Sequence, residues 1–210
     1  MSKLENVSVL VESGKVKKIV AAVQEALDEG VGAEELLNTM INAMGIVGEN
    51  FKNGDIYVPE MLVAAKTMKK GVDVLKPYLV GGEVGGAGKF IMGTVAGDLH
   101  DIGKNLVIMM VESAGFEVID LGVDVPAEKF VEACRANPDT KIVGLSALLT
   151  ITMPAMRETV ALLNAQDFRS KIKIMVGGAP ITQSFADEIG ADAYTPDAAS
   201  CAQKAKELVG

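Results

Sequence analysis

The sequence predicts an α/β protein built in two parts, an N-terminal bundle of four helices and a C-terminal five-stranded parallel sheet. Up to about residue 80, apolar residues recur at every third or fourth position, which is typical of amphipathic helices. From residue 89 onward, short runs of apolar and β-branched residues alternate with helical patterns, as they do in successive βα units. A glycine-rich stretch separates the two patterns, so we expect a helical domain at 1–80, a linker at 81–88 and a sheet domain at 89–210.

The helical part is expected to begin with a short helix around Lys3–Glu12. A second helix, GKVKKIVAAVQEALDEG, ends at Gly30, and a third spans Ala33–Phe51. Pro59 suits the first turn of a fourth helix, PEMLVAAKTMKKGVDVL, because its fixed φ matches a helix and its missing N–H is not needed there. Four helices joined by short loops favour a small bundle.

The sheet part contains five predicted strands, KFIMGTVA, EVIDLG, KIVGLSALL, KIKIMVGG and a weaker DAYTP. An amphipathic segment of roughly ten to fifteen residues follows each one, which predicts parallel strands with helical crossovers. The expected fold is Rossmann-like, with the flavodoxin-like strand order 2-1-3-4-5 and helices on both faces. In such a sheet, ligands bind in the crevice outside the carboxyl ends of the first and third strands.

Composition and charge narrow the classes of function. The 210 residues are 49% hydrophobic and 23% charged, which is typical of a globular protein. A net charge of −8 argues against nucleic acid or an anionic membrane as a partner. No signal peptide is recognisable, so we expect a cytoplasmic protein. Cys134 and Cys201 lie in helical patterns without C-x-x-C or Cys/His spacing, and we expect neither a disulfide nor a zinc site.

The motif GDLHDIGKN, at 97–105, contains the single histidine of the chain, His100, and follows the first predicted strand. The third predicted strand ends in SALLT and the fourth in GG, so all three segments should reach the same edge of the sheet. The residues expected to lie around His100 are Ser146, Leu148, Thr150, Gly177 and Gly178.

Three familiar kinds of site do not match this pattern. A dinucleotide site needs G-x-G-x-x-G directly after the first strand, where this chain has GDLHDIG. A response-regulator site needs clustered acids, which Asp98 and Asp101 could supply, but a histidine between them is unexpected. A Ser-His-Asp hydrolase needs a G-x-S-x-G elbow, and GLSAL is not one.

The Asp-x-His pair suits a metal, since a carboxylate can hold one imidazole N–H while the other nitrogen binds the ion. One histidine provides too few ligands for a zinc or iron site built by the protein alone. The metal should therefore arrive inside a cofactor with an open axial position, either haem or a corrinoid. The glycines favour a corrinoid, because they suit its long, thin nucleotide loop, which haem lacks; they are Gly97, Gly103, Gly177 and Gly178.

Taken in order, GDLHDIGKN, SAL and GG resemble the D-x-H-x-x-G…S-x-L…G-G signature of cobalamin-binding domains. The segment Met44–Pro77 is similar to the helical cap module of cobalamin-dependent methionine synthase. Nearly the whole chain resembles the stand-alone corrinoid proteins of methylamine, methanol and aryl-ether methyltransferase systems. The residues that match the signature are Asp98, His100, Gly103, Ser146, Leu148, Gly177 and Gly178.

This resemblance implies base-off, histidine-on binding, in which His100 is the lower axial ligand of cobalt and Asp98 accepts the proton of the other imidazole nitrogen. The hydroxyl of Thr152 would complete this relay. Phe51 and Val58 would cover the upper face of the corrinoid, although ordinary packing at the end of the bundle is the alternative for both. The remaining predicted cofactor contacts are Asp101, Gly103, Ser146, Leu148, Thr150, Gly177 and Gly178.

The resemblance also implies a methyl carrier, loaded as methylcobalamin or a related cobamide, rather than a complete enzyme. Its partners would be a substrate-specific methyltransferase, a second methyltransferase that passes the methyl group to tetrahydrofolate or coenzyme M, and a reductive activase. Three alternatives are an adenosylcobalamin-dependent isomerase subunit, a cobalamin-responsive regulator and a flavodoxin-like signalling domain. The helical part argues against the first, the lack of a basic recognition helix against the second, and His100 against the third.

Overall fold

The computed structural model describes residues 2–78 and 87–210, which form two compact units that divide near residue 87. The first unit is helical, and the second contains the sheet. Of the linker predicted at 81–88, the stretch 81–86 lies outside the described residues.

The N-terminal unit forms the predicted four-helix bundle. Glycine ends its third helix, because Gly54 adopts the left-handed conformation at φ 80° and its N–H bonds back to the helix. This helix therefore extends past the predicted end at Phe51. Within residues 2–78, the α-helices are α1 (Lys3–Glu12), α2 (Val16–Asp28), α3 (Ala33–Asn53) and α4 (Val58–Leu75).

Gly71 allows α4 to pack closely on two other helices. A Cβ atom at this position would lie 2.6 Å from Sδ of Met40 in α3 and 3.2 Å from Cγ1 of Ile19 in α2. Both of these side chains are fully buried. Because the interior is close-packed, a larger residue would require at least the Met40 side chain to move.

The C-terminal unit contains a sheet in which all neighbouring strands are parallel and the order is β2-β1-β3-β4-β5, as predicted. Buried residues run almost without a break along β1 and β3, which is typical of strands covered on both faces. The strands are β1 (Lys89–Thr94), β2 (Glu117–Asp120), β3 (Thr140–Ser146), β4 (Lys173–Gly177) and β5 (Ala193–Tyr194).

A helix follows each strand, which confirms the alternation that the sequence predicts. A continuous apolar core joins the strands to α6, α7 and α8, and α7 packs against both of its neighbours. These helices are α5 (Ile102–Ser113), α6 (Ala127–Ala136), α7 (Met153–Asn164), α8 (Gln183–Ile189) and α9 (Ala198–Val209).

Strand β4 begins later than the sequence predicts. The run KIKIMVGG predicts a strand from Lys171, but Arg169–Lys171 forms a 3₁₀ turn. The Arg169 guanidinium donates to the carbonyl of Ile172 at 2.9 Å and to the carboxylate of Asp192 at 2.8 Å. These bonds hold the turn in place, so the strand starts only after it.

Both cysteines are buried, Cys134 in α6 and Cys201 in α9. Burial raises the pKa of the Cys134 thiol to about 11 and that of the Cys201 thiol to about 12. Each therefore packs as a small, protonated apolar group. In the described ranges, no helix combines the length and apolar character that crossing a membrane requires.

Candidate functional site

The three motif segments leave the sheet side by side. In the register of the sheet, Thr94 of β1 pairs with Ser146 of β3, and Ser146 pairs with Gly177 of β4. GDLHDIG, ALLT and the second glycine of GG follow shortly after these strand ends. The segments therefore meet at the carboxyl edge of the sheet, at the crevice where ligands of such folds bind.

A buried carboxylate holds the imidazole of His100. Nδ1 of His100 lies 2.7 Å from Oδ1 of Asp98, and the backbone N–H of His100 donates to the same oxygen at 3.0 Å. The Asp98 side chain is completely buried, whereas that of His100 is 49% exposed. The imidazole is therefore fixed on its inner side and open on its outer side.

The segment after β3 holds the second oxygen of this carboxylate. Oδ2 of Asp98 accepts hydrogen bonds from the backbone N–H of Leu148 at 2.7 Å and from Oγ1 of Thr152 at 2.9 Å. The buried Thr152 hydroxyl also lies 2.9 Å from the carbonyl oxygen of Leu149, so two acceptors share its single hydrogen. Asp98 thus joins the segment after β1 to the segment after β3.

These hydrogen bonds decide the charge of Asp98 and the tautomer of His100. Burial alone would raise the pKa of Asp98, but the N–H groups of Leu148 and His100, the imidazole and the Thr152 hydroxyl together hold this pKa well below its usual range. An ionised carboxylate only accepts hydrogen bonds. In the neutral imidazole, Nδ1 therefore carries the hydrogen and Nε2 carries the lone pair.

A neutral imidazole held in this way suits a metal that it binds through Nε2. Among residues 2–78 and 87–210, no group of three or more histidine, cysteine, aspartate and glutamate side chains could hold a metal ion. A metal bound by His100 must therefore bring its other ligands with it, as it does inside a macrocyclic cofactor.

Large apolar side chains are exposed in the two segments that Asp98 joins. Leu99, Ile102 and Ile151 are 72%, 78% and 79% exposed, and Leu148 and Leu149 are also open to solvent. An exposed apolar patch of this kind usually marks a binding surface. Of these five residues, only Leu148 was predicted from the sequence. The signal for the other four was the presence of apolar residues in segments between a strand and a helix.

The glycines of the motif have different surroundings, so a side chain would be excluded at some of them and not at others. A Cβ atom on Gly178, at φ 127°, would lie 1.8 Å from the carbonyl oxygen of Ala147, and one on Gly177 would lie 3.2 Å from that of Thr195. A Cβ atom on Gly103 would have no described atom within 4 Å, although glycine weakens a helix by about 1 kcal/mol relative to alanine. Gly103 therefore leaves open space beside the site, whereas Gly178 is required by packing inside the protein.

Comparison with known proteins identifies the family of the chain. A family model described as a B12 binding domain matches residues 88–201, and a second model of the same description matches residues 4–76. The chain belongs to the B12-binding family.

Members of this family resemble the chain over its whole length. Dimethylamine corrinoid protein 2 of Methanosarcina acetivorans is 42% identical, over 98% of this chain and 95% of its own. The crystal structure of a cobalamin-binding protein from Desulfitobacterium hafniense DCB-2 is 33% identical with a TM-score of 0.84, covering 99% and 98% of the two chains. A chain of the methanol:cobalamin methyltransferase complex MtaBC from Methanosarcina barkeri is 27% identical with a TM-score of 0.84, covering 99% and 79%.

An ion pair between a buried lysine and a partly exposed aspartate supports the site of this B12-binding chain, and sequence reasoning missed it. Nζ of Lys104, in the first turns of α5, lies 2.7 and 2.8 Å from the two carboxylate oxygens of Asp120 at the end of β2. The same ammonium donates to Oδ1 of Asn105 at 2.8 Å. The pair therefore ties the helix that follows His100 to the edge strand.

Two predicted cofactor contacts, Asp101 and Thr150, lie where a helix and a 3₁₀ turn begin. Asp101 precedes α5, where its carbonyl accepts the N–H of Asn105 at 2.7 Å and its carboxylate accepts the Asn105 side-chain amide at 3.2 Å. Thr150 is exposed and begins the 3₁₀ turn Thr150–Thr152, which delivers Thr152 to Asp98. A cofactor contact of Asp101 or Thr150 stays a prediction.

The other two predicted contacts lie in the N-terminal unit. Phe51 is half-buried in the last turn of α3, and Val58 is the first residue of α4 and is partly exposed. The turn between these helices therefore brings Phe51 and Val58 to the same end of the bundle, beside the more exposed Tyr57. Their role on the upper face of a corrinoid also stays a prediction.

Proposed function

We propose that this B12-binding protein carries a methyl group on a bound cobalamin or related cobamide, between two methyltransferases. The observation that carries the proposal is the Asp98–His100 pair, which presents Nε2 of His100 at the carboxyl edge of the sheet. Dimethylamine corrinoid proteins that match nearly the whole chain support it. When bound, the corrinoid supplies a cobalt atom that accepts and releases the methyl group.

In this proposal His100 would hold the cobalt through Nε2, in place of the cofactor's own base. Asp98 keeps the hydrogen on Nδ1, so the lone pair of Nε2 is available for the metal. Leu148 and Thr152 keep Asp98 ionised.

The surroundings of His100 fit a large, flat, partly apolar ligand. Leu99, Ile102 and Ile151 expose apolar surface that such a ligand would remove from water. The open space at Gly103 leaves room beside the imidazole. We assign the nucleotide tail to the crevice, where the predicted contacts are Ser146, Thr150, Gly177 and Gly178.

Three partner proteins would act on this carrier. We infer that the donor-side methyltransferase acts on a methylamine, because relatives that match nearly the whole chain are dimethylamine corrinoid proteins. The acceptor-side methyltransferase would use tetrahydrofolate or coenzyme M, a reductive activase would restore oxidised cofactor, and the exchange would take place in the cytoplasm. Phe51 and Val58 would cover the upper face of the corrinoid between these encounters.

Electron paramagnetic resonance tests the ligand directly. The protein is labelled uniformly with ¹⁵N, reconstituted with unlabelled cobalamin and reduced to the Co(II) state. A histidine ligand then splits each cobalt line into two, whereas the cofactor's own ¹⁴N base splits it into three. We expect two lines, and their loss in His100→Ala; since the chain has one histidine, the assignment is unique. A three-line pattern in the unsubstituted protein would overturn the assignment of His100 as the ligand.

A second experiment tests the donor. The reconstituted, reduced protein is added to an extract of its native cells with dimethylamine, monomethylamine or methanol, and methylation is followed by absorbance. We expect methylation from a methylamine but not from methanol. Methylation from methanol alone would show that the donor assignment is wrong while the carrier function stands.

A further inference from the structure

The loop after β2 contains a residue in a strained backbone conformation. Asp124 has a φ of 53°, and among residues 2–78 and 87–210 it is the one non-glycine residue with a positive φ. Side chains with a Cβ atom disfavour this left-handed region, although aspartate and asparagine tolerate it better than most. Such strain persists where the surrounding structure requires it, and it concentrates at functional sites.

Asp124 holds the loop that carries the histidine at two points. Its Oδ1 accepts the backbone N–H of Gly97 at 2.7 Å, and its own N–H donates to the carbonyl of Asp98 at 2.9 Å. Gly97 itself has a φ of 79°, so this hydrogen bond joins two residues of left-handed conformation in different loops.

The rest of this loop is fixed from the strand beneath it. Oγ1 of the buried Thr94 donates to the carbonyl of His100 at 2.9 Å. The backbone of Thr94 is in turn bonded to the loop after β2, because its carbonyl accepts the N–H of Val125 at 3.0 Å and its N–H donates to Gly122 at 3.0 Å. The loop of Asp124 and the loop of His100 therefore form one hydrogen-bonded unit.

We propose that Asp124 is a positioning residue, which holds the backbone of residues 97–100 so that His100 meets the cobalt of the corrinoid without rearrangement. This inference rests on the proposed function. The backbone conformation alone does not require aspartate, since a glycine would adopt φ 53° without strain, and both Asp124 and its partner Gly97 are exposed. What aspartate adds to glycine is the acceptor for Gly97, and this acceptor acts on the histidine loop.

Three substitutions separate the backbone conformation from the hydrogen bond. Asp124→Asn keeps both the tolerance of a left-handed φ and an acceptor oxygen. Asp124→Gly keeps the conformation and removes the acceptor, and Asp124→Ala removes both. Amide hydrogen exchange at Gly97, measured by NMR on the cofactor-free protein, reports the bond itself.

We expect exchange at Gly97 to be about fivefold faster in Asp124→Gly than in the unsubstituted protein, as loss of one hydrogen bond implies, and near normal in Asp124→Asn. The second readout is the two-line histidine signal of ¹⁵N-labelled protein with Co(II) cobalamin. Asp124→Gly should lose a large part of this signal, and Asp124→Ala should lose more. Asp124→Asn should show the signal at the level of the unsubstituted protein. Absence of the two-line signal from the unsubstituted protein would overturn both the ligand assignment and the positioning role. A full two-line signal in Asp124→Gly would overturn the positioning role alone.

Discussion

Thr152 lies 54 residues after Asp98 in the sequence, yet its hydroxyl donates to the buried Asp98 carboxylate at 2.9 Å. The other oxygen of this carboxylate holds the imidazole of His100 at 2.7 Å. The Asp98 side chain therefore connects His100 to the turn that follows β3. The tautomer of the imidazole thus depends on residues distant in sequence.

Removal of the Thr152 hydroxyl should weaken this connection. Thr152→Val keeps the shape of the side chain but leaves a buried, charged oxygen with one donor fewer, so we expect a loss of about 1–2 kcal/mol in the free energy of unfolding. Urea unfolding of the cofactor-free protein at pH 7 measures it. Thr152→Ser keeps the hydroxyl and is the matched control; equal stability of all three proteins would show that the bond contributes nothing.

Neutralising Asp98 should weaken cobalamin binding. In Asp98→Asn the imidazole loses the anion that fixes its hydrogen on Nδ1, and substitution of such partners typically lowers metal affinity about 10- to 100-fold. Titration of the apoprotein with cobalamin, followed by absorbance, measures the affinity. His100→Ala provides the reference for complete loss of the ligand. An unchanged affinity in Asp98→Asn would contradict the role given to the carboxylate.

The lowered pKa of Asp98 predicts how stability depends on pH. Because this pKa is lower in the folded than in the unfolded protein, the ionised carboxylate stabilises the fold fully above the usual aspartate range. This contribution is lost progressively as the pH falls below about 4, towards the folded-state pKa. Urea unfolding of the cofactor-free protein at a series of pH values should give a shallower acid dependence for Asp98→Asn. Parallel curves would contradict the assignment.

The ion pair of Lys104 should respond differently to loss of its two partners. Asp120→Ala leaves the Lys104 ammonium, whose side chain is 2% exposed, without a counter-charge. We expect a loss of about 2 kcal/mol in the free energy of unfolding. This is below the cost of breaking a fully buried pair, because Asp120 is 42% exposed. Lys104→Met removes the buried charge itself and should be less destabilising. The double variant should resemble Lys104→Met, because the two residues act as a unit; strictly additive losses would argue against the pair.

The glycines of the motif provide a test of where the ligand lies. Gly103→Ala should leave the stability of the cofactor-free protein unchanged, or raise it by up to about 1 kcal/mol, because the added methyl group meets no protein atom and alanine favours a helix. Its affinity for cobalamin should nevertheless fall. Gly178→Ala should instead destabilise the apoprotein, since its Cβ would collide with the carbonyl of Ala147. Normal cobalamin binding by Gly103→Ala would show that the ligand does not approach this helix turn.

The sequence was sufficient to predict the helices, the strand order and the edge of the sheet where the motif segments meet. The helices and strands follow from local patterns, since periodicity distinguishes the two, and the strand order was taken from the flavodoxin-like fold that alternating strands and helices favour. The start of β4 was predicted too early because Arg169 holds a 3₁₀ turn through Asp192, a residue beyond the strand. A local pattern does not report such a contact.

The supporting residues of the site were less predictable for the same reason. Asp124 bonds to Gly97, and Lys104 bonds to Asp120. In each pair the partners are distant in sequence and are brought together by the register of the sheet or by the start of α5. Nothing in DLGVDVP distinguishes a strained aspartate from an ordinary turn residue. The histidine was predictable because its own motif is local, with the carboxylate two residues away.

The two buried thiols have a practical consequence. With pKa values of about 11 and 12, Cys134 and Cys201 remain protonated and enclosed at neutral pH, so thiol reagents should leave them unmodified in the folded protein. A cysteine introduced on the surface would then be labelled alone, without removal of the native ones. The natural sequence is therefore a ready background for attaching pairs of fluorophores or spin labels, with which distances within the protein can be followed as cofactor and partners bind.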